Sequence, residues 1–551
     1  MPLRFAETAT EYHRAPLTIR HLLNGVVAKA GDQRIVYRDR ADIDYREFVG
    51  RVGRLASLLE AAGATQGMTV AVMDWDSHRY LEAYFAVPMM GAVLQTVNIR
   101  LPQPQIAYTL QHAEAEILIV HRDFFPIVEA LRSRLPRLKA IVAIMDGAGD
   151  ALPSWCIGEY ETLSAAASPD YPFEDFDENA VATTFYTSGT TGNPKGVCFT
   201  HRQLVLHTLA ISAPFGASDA APWIGVGDVY MPLTPMFHVH AWGFPYIATM
   251  LGLKQVYPGR YEPATICALR ETHGVSYSHC VPTVLEMVLN SAEDRGADLA
   301  GWKVTIGGSA LTRSLLARGQ AHGMRLGAAY GMSETCPVVA VAGRRELPGD
   351  EGGAGMPDPL SLAGVSAPLV EVRIADENMN PAPHDGRTRG EVVVRSPWLT
   401  PLYTGDRKAT DALWRGGWMH TQDIATIDPW GQVQIRDRLK DVVKTGGEWV
   451  DSLQLEELVA TGEGIAEAAV IAVPDVRWGE RPLAVVVAAP GCVPTLDSIN
   501  LPVDFAIADG RITRYARLDR FAVVDQLPRT SVGKIDKKLL RARYAEDAPS
   551  S

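Results

Sequence analysis

No two cysteines are spaced as Cys-x-x-Cys. The six in the chain, Cys156, Cys198, Cys267, Cys280, Cys336 and Cys492, are scattered. They suggest neither a zinc site nor a disulfide framework, and a reducing compartment is expected. An excess of positive charge is also missing. The formal net charge of -12 argues against a nucleic-acid partner held by bulk electrostatics, although a local site can still be positive on an acidic protein. The opening segment "MPLRFAETATEYHRAPLTIRHLL" lacks the apolar core of a signal peptide. The closing "EDAPSS" is polar and carries no recognisable address, so a cytoplasmic location is expected. The longest run free of Asp, Glu, Lys and Arg, Val229 to Leu253, could span a bilayer by length. Pro232, Pro235, Pro245, His238 and His240 interrupt it, so no transmembrane segment is expected there.

The chain has 551 residues, more than one core usually supports, and at least two domains are expected. Apolar β-branched runs ("MTVAVMDW", "EILIVH", "KAIVAIM", "GLKQVYP", "WKVTIGGSA") alternate with helical patterns such as "YREFVGRVGRLASLLEAAGA" and "PATICALRETHG". This rhythm predicts α/β layers with largely parallel sheets. From about Pro368 the strands shorten ("LVEVRIAD", "GEVVVRS", "IATIDPWGQVQIRDR"), which predicts a β-rich subdomain. The last 110 or so residues read as a compact α+β unit. The boundary is placed in "IRDRLKD", whose charge suits exposure, giving domains of residues 1–436 and 437–551. "GDEGGAGMPDPLSLAGVSAP" reads as a long surface loop.

A Gly-x-x-x-x-Gly-Lys-Ser/Thr loop is absent, which excludes the P-loop kinases and GTPases. In its place stands "YTSGTTGNPKG", Tyr186 to Gly196, after the apolar run "AVATTFY". Its glycines and hydroxyls can turn many donors towards one point and Lys195 adds a positive charge, which suits phosphate oxygens. The plainer reading is a flexible surface turn.

"YTSGTTGNPKGVCFTHRQL" strongly resembles the phosphate-loop signature of the adenylate-forming superfamily, which includes acyl-CoA synthetases, luciferases and peptide-synthetase adenylation domains. "AAYGMSET", "IRDRLKDVVKTGGEWVDSLQLEE" and "PRTSVGKIDKKLL" resemble its later motifs, in the right order. The resemblance covers nearly the whole chain. It implies a large N-terminal domain, a small mobile C-terminal domain, and two-step chemistry using ATP, Mg²⁺ and CoA. A carboxylate attacks the α-phosphorus of ATP, expelling pyrophosphate; a thiol then attacks the acyl-adenylate, expelling AMP. The first step brings two anions together, so the site must neutralise charge.

The residue roles that follow are implied by the resemblance. Thr187, Ser188, Gly189, Thr190, Thr191, Gly192 and Lys195 hold ATP phosphates. Lys534 bridges the attacking carboxylate and the α-phosphate. Glu334 binds Mg²⁺ with the Thr187 hydroxyl, since a hard cation takes oxygen donors. Tyr330 stacks on adenine, beside Gly308, Ser309, Ala329, Gly331, Met332 and Ser333. Asp423 accepts from the ribose hydroxyls, although the usual Thr-Gly-Asp is here Thr-Gln-Asp, with Gln422 in place of glycine. Arg438 and Lys440 reach ATP or AMP phosphate. Asp437 matches the hinge. Lys444, Gly446, Gly447, Glu448 and Trp449 match the strand that lines the thiol entrance after domain rotation.

"PMFHVHAWGFPY" is expected to wall the acyl pocket with His238, Val239, His240 and Trp242, together with Gly308 and Gly331. Amino-acid-activating relatives carry an aspartate where His238 stands, so a free amino acid is not expected. His238 and His240 could also form a metal pair if they lie at i and i+2 of a strand. The segment is most similar to that of bacterial medium- and long-chain fatty acyl-CoA synthetases and methylmercaptopropionate-CoA ligases. In these, the residue matching Trp242 gates the acyl tunnel, and asparagine usually stands where His240 does. Core packing is the alternative for Trp242. Loading of a carrier protein, an aryl or short-chain acid, and a catalytically dead scaffold stay open, as does a homodimer.

Overall fold

The computed structural model describes residues 3, 4, 6, 9–147, 151–187, 193–215, 223–343, 358–530 and 534–544. Two sheets with mostly parallel strands dominate the large domain. The first has seven strands, with Thr69–Met73 at its centre between Val93–Thr96 and Ala115–His121. Thr69–Met73 is buried along its whole length, as expected of a parallel strand covered on both faces. One edge is the hairpin Val181–Thr187 and Lys195–Thr200, whose antiparallel register sets Thr187 opposite Lys195. The tip of that hairpin, with Ser188, Gly189, Thr190, Thr191 and Gly192, lies outside the described residues.

The second sheet has nine strands. Val229–Pro232, Lys254–Tyr257, Tyr277–Cys280, Lys303–Ile306 and Arg325–Gly331 run parallel through its middle. Helices fill the connections. Tyr45–Ala61 begins where the Asp44 carboxylate accepts from Glu47 N, and it buries Phe48, Val52, Leu55 and Leu59 on one side. The apolar run from Val229 forms a strand, a tight turn and the helix Phe244–Leu251. Among the described residues no helix is long and apolar enough to cross a membrane.

A four-stranded antiparallel sheet follows: Glu371–Ala375, Gly390–Arg395, Met419–Ile427 and Val433–Arg438. The C-terminal unit is a five-stranded sheet with the helices Ser452–Ala460, Leu496–Ala508 and Lys537–Tyr544. Two sequence expectations need correction. The Gly/Pro-rich segment is not loop throughout: Val365–Ser366 pairs with Val338–Val341 and adds an edge strand to the nine-stranded sheet. The charged boundary segment is not uniformly exposed either. Asp437 is 1% and Asp441 7% exposed, and Asp437 and Arg438 still pair with Ile424 and Asp423 in the four-stranded sheet. Both carboxylates have partners that remove the need for water. Asp437 accepts from Ser452 N at 2.5 Å, and Arg541 pairs with Asp441.

Candidate functional site

Lys534 comes from the C-terminal unit and meets the turn that follows Lys303–Ile306. A β-bridge between Arg529 and Ile535, with Thr530 N donating to Lys534 O at 2.7 Å, folds this segment back on itself. The ammonium then lies beside Gly308: a Cβ added there would stand 3.9 Å from Lys534 Nζ. Burial pushes the Lys534 ammonium down to about 8, and Arg438 pushes the same way, against the opposing pull of Asp423 and Glu334. All three groups are therefore within electrostatic reach.

Asp423 sits on Met419–Ile427. It accepts from Tyr330 Oη at 2.8 Å, and Arg438 Nε lies 3.3 Å from its other oxygen. Its backbone N–H donates to Thr421 Oγ1 at 3.1 Å, while the Thr421 hydroxyl donates to Val392 O. Burial raises the Asp423 carboxyl above its ordinary range, opposed by Arg438, Tyr330 and Lys534. Gln422 adopts φ 60°, the left-handed region that favours glycine, and its N–H is held by Glu391 Oε1 at 3.0 Å. Gln422→Gly is expected to raise the urea midpoint, because it relieves a strain of about 1 kcal/mol. A lower midpoint would mean that the glutamine side chain contributes more than the strain costs.

Glu334 is 6% exposed. Tyr403 Oη donates to its Oε1 at 2.6 Å, and the Tyr403 ring carries Lys195 Nζ 4.4 Å above its centroid. Since Lys195 is paired with Thr187, one tyrosine ties the phosphate hairpin to Glu334. Burial raises the Glu334 carboxyl, with Tyr403, Arg438 and Lys195 opposing. Among the described residues no cluster of three His, Cys, Asp or Glu could hold a metal. The Glu334 carboxylate and the Thr187 hydroxyl are both oxygen donors, the kind that a hard cation such as Mg²⁺ takes.

Met332 and Ser333 lead into Glu334 and are half-buried, as are Ala329, Tyr330 and Gly331, whereas Gly308 and Ser309 are exposed. Gly331 is required by close approach, because a Cβ there would stand 1.8 Å from Pro337 O. Lys440 is exposed.

The acyl-wall segment differs from a strand. Val239, His240, Ala241 and Trp242 hold φ of 47°, 54°, 46° and 59°, a left-handed turn made without glycine. The geometry needed for a His238 and His240 metal pair is therefore absent. His238 is half-buried, with its imidazole pushed down to about 3 by burial, Lys534 and Arg100. Trp242 lies against Gly307, where a Cβ would be 2.9 Å from its ring, and 5.1 Å from the His279 ring. Val239 is 1% exposed, and His240 has no exposed surface.

Lys444, Gly446, Gly447, Glu448 and Trp449 belong to a hairpin in which Trp449 is half-buried and the other four are exposed. Gly446 and Gly447 take φ of 60° and 86°, as a two-residue turn of that hand demands. The hairpin contacts its own domain through Trp478 and Glu480. It contacts the large domain through Arg389, which donates to Trp449 O at 3.0 Å and pairs with Asp451. Lys534, Glu334, Asp423, Arg438, Tyr330 and Gly308 are thus together. Tyr403 stands in no motif of the sequence, and Thr421, the first residue of the Thr-Gln-Asp motif, was given no role; the partners of both are set by tertiary pairing.

The family described as AMP-binding enzyme matches residues 24–404, and the AMP-binding enzyme C-terminal domain matches residues 454–534. A long-chain-fatty-acid-CoA ligase of Thermus thermophilus is 40% identical over 512 residues, 91% of this chain and 90% of the relative. A 3-methylmercaptopropionyl-CoA ligase of Ruegeria lacuscaerulensis is 34% identical, covering 96% of this chain and 98% of the relative. A medium-chain-fatty-acid-CoA ligase of Ectopseudomonas oleovorans is 34% identical, covering 91% and 90%. The crystal structure of the anthranilate CoA ligase AuaEII in complex with anthranoyl-AMP superposes with a TM-score of 0.82 at 20% identity, over 96% of this chain and 98% of that one. This last likeness bears on the fold alone.

Proposed function

The chain belongs to the family of AMP-binding enzymes, and from that premise we propose that it joins a fatty acid to CoA through an acyl-adenylate. The observation that supports this most is the Lys534 ammonium, carried from the C-terminal unit to Gly308, within electrostatic reach of Glu334 and Asp423. A reaction in which negative charges converge there gains from a half-buried cation so placed.

In the first step Lys534 holds the carboxylate near the α-phosphate and offsets the charge of the attack. Asp423 and Tyr330 fix ribose and adenine, and Lys195 with the 188–192 loop positions the outer phosphates. Glu334 and Thr187 would hold Mg²⁺, which supplies charge neutralisation on the phosphate oxygens. Asp437 serves as the pivot that brings Lys444 to Trp449 towards the adenylate for the thiol step, and residues 437–551 are the moving unit. We place the enzyme in the cytoplasm. The test is a panel of straight-chain acids with ATP, Mg²⁺ and CoA. Acid-dependent pyrophosphate release followed by CoA-dependent AMP release is expected. Pyrophosphate release without any response to CoA would point to a different acyl acceptor.

Lys534 also sets an expected pH dependence. The ammonium form is the active one, and it is lost as pH rises through about 8 in the ligand-free enzyme. The kcat/KM for adenylation reports the free enzyme, so it should fall above that pH. In Lys534→Arg this alkaline limb should vanish even though the rate is lower, because guanidinium stays charged. A limb that persists in the arginine variant would assign it to another group.

A further inference from the structure

His240 is wholly buried, yet neither ring nitrogen has a hydrogen-bond partner. Its ring lies edge-on to Tyr84, Phe185 and Phe199 at centroid distances of 6.0, 5.2 and 6.2 Å, with Tyr246 at 6.3 Å. The neighbouring tyrosine hydroxyls are already committed: Tyr84 donates to Met236 O, and Tyr246 to Tyr84 O. Protein groups leave both of its nitrogens unpaired, so a hydrogen-bonding group brought to the ring would be favoured there. A second imidazole stands nearby with the same defect. His207 is 1% exposed, its Nε2 has no partner, and its ring lies 3.0 Å from where a Cβ on Gly243 would be.

His240 belongs to the left-handed turn of Val239 to Gly243, four of whose residues carry a Cβ at positive φ, and His207 packs against its last residue. Strain of this kind persists where a segment has a second arrangement or a ligand to meet. The turn also carries Trp242, whose ring covers Gly307 beside the lysine site. His240 stands two residues before Trp242 on the same turn, so the segment that covers Gly307 also carries the unpartnered imidazole.

We propose that His240 is a specificity-determining residue that hydrogen-bonds an oxygen, hydroxyl or carbonyl, carried partway along the acyl chain of the acid. This rests on the acid-CoA ligase reading and names the class of acid within it. The neutral ring has one donor and one acceptor, so it can serve a hydroxyl in either sense or donate to a carbonyl. The aromatic walls and the absence of a cation among them disfavour a second carboxylate. A site built around a polar group discriminates against the analogue lacking it far more than an apolar wall senses one methylene. With an unsubstituted alkanoate His240 stays unsatisfied; with an oxygenated one it gains its missing partner.

The test compares octanoate with its hydroxy and oxo derivatives, the oxygen moved from C4 to C8, using the full-length enzyme with ATP, Mg²⁺ and CoA. In the wild type at least one oxygen position should give a kcat/KM ten or more times that of octanoate. His240→Leu should lower that ratio at least tenfold. His240→Gln, which keeps a donor and an acceptor, should retain part of it. The proposal is overturned if every oxygenated acid is a poorer substrate than octanoate in the wild type. It is equally overturned if His240→Leu and His240→Gln leave the ratio unchanged. The wild-type series decides even if the leucine variant does not fold. Turnover of octanoate without any oxygen preference would remove this inference and leave the ligase reading standing. Failure of every acid to release pyrophosphate would remove both.

Discussion

Lys534→Ala is expected to lower acyl-adenylate formation by about 10²–10³-fold, while transfer from preformed acyl-AMP to CoA changes far less. The magnitude is that of losing one preorganised group aimed at developing charge, about 3–4 kcal/mol. The asymmetry follows from placement. The ammonium reaches Gly308 from a short segment pinned by the bridge between Arg529 and Ile535. In this arrangement Arg389 holds the hairpin of Lys444 to Trp449, and Lys534 serves the arrangement that joins carboxylate and ATP. Two neighbouring cations already have partners of their own. Lys195 lies over Tyr403, and Arg438 is paired with Asp423. Quenched-flow measurement of pyrophosphate, set beside thiolysis of synthetic acyl-AMP, gives the two rates separately. Equal losses in both would contradict a role confined to the first step.

Asp437→Pro should divide the half-reactions the other way. Acyl-AMP should form and then accumulate in the presence of CoA. Rotation of the C-terminal unit needs φ and ψ to change at the pivot, and proline fixes φ near about -65°. The structure adds a second consequence. The Asp437 carboxylate accepts from Arg438 N and from Ser452 N, the N-terminal residue of the helix Ser452–Ala460, and burial raises its carboxyl above the ordinary range. Proline removes this anchor as well as the rotation. Asp437→Ala removes the anchor alone, and should lower the stability of the C-terminal unit without blocking thiolysis. Loss of both steps in the proline variant, with circular dichroism unchanged, would sink the pivot assignment.

The parallel sheets were legible because strands covered on both faces must be continuous apolar runs, as Thr69–Met73 and Ala140–Ile144 are. The functional positions were legible through motifs, and the structure gathers Lys534, Glu334, Asp423 and Tyr330 although about 200 residues separate the first two in sequence. What escaped the sequence depends on partners far along the chain. A run such as "IRDRLKD" looks solvated until Arg541 closes on Asp441 across 100 positions. Tyr403 is an ordinary tyrosine until it meets Glu334, 69 residues away. The left-handed turn at Val239 to Trp242 escaped for a different reason. Positive φ is normally signalled by glycine or asparagine, and neither is present in those four positions. Gln422 is the same case in one residue: resemblance marks it as a substituted glycine, and the backbone keeps the glycine conformation.

The central claim is that the acid oxygen itself attacks the α-phosphorus at the Lys534 site. It is tested most directly by single-turnover ligation of a fatty acid labelled with ¹⁸O in its carboxyl group. One labelled oxygen is expected in the AMP released, with none in pyrophosphate. Label appearing in inorganic phosphate or pyrophosphate, or AMP released without any label, would contradict an acyl-adenylate route.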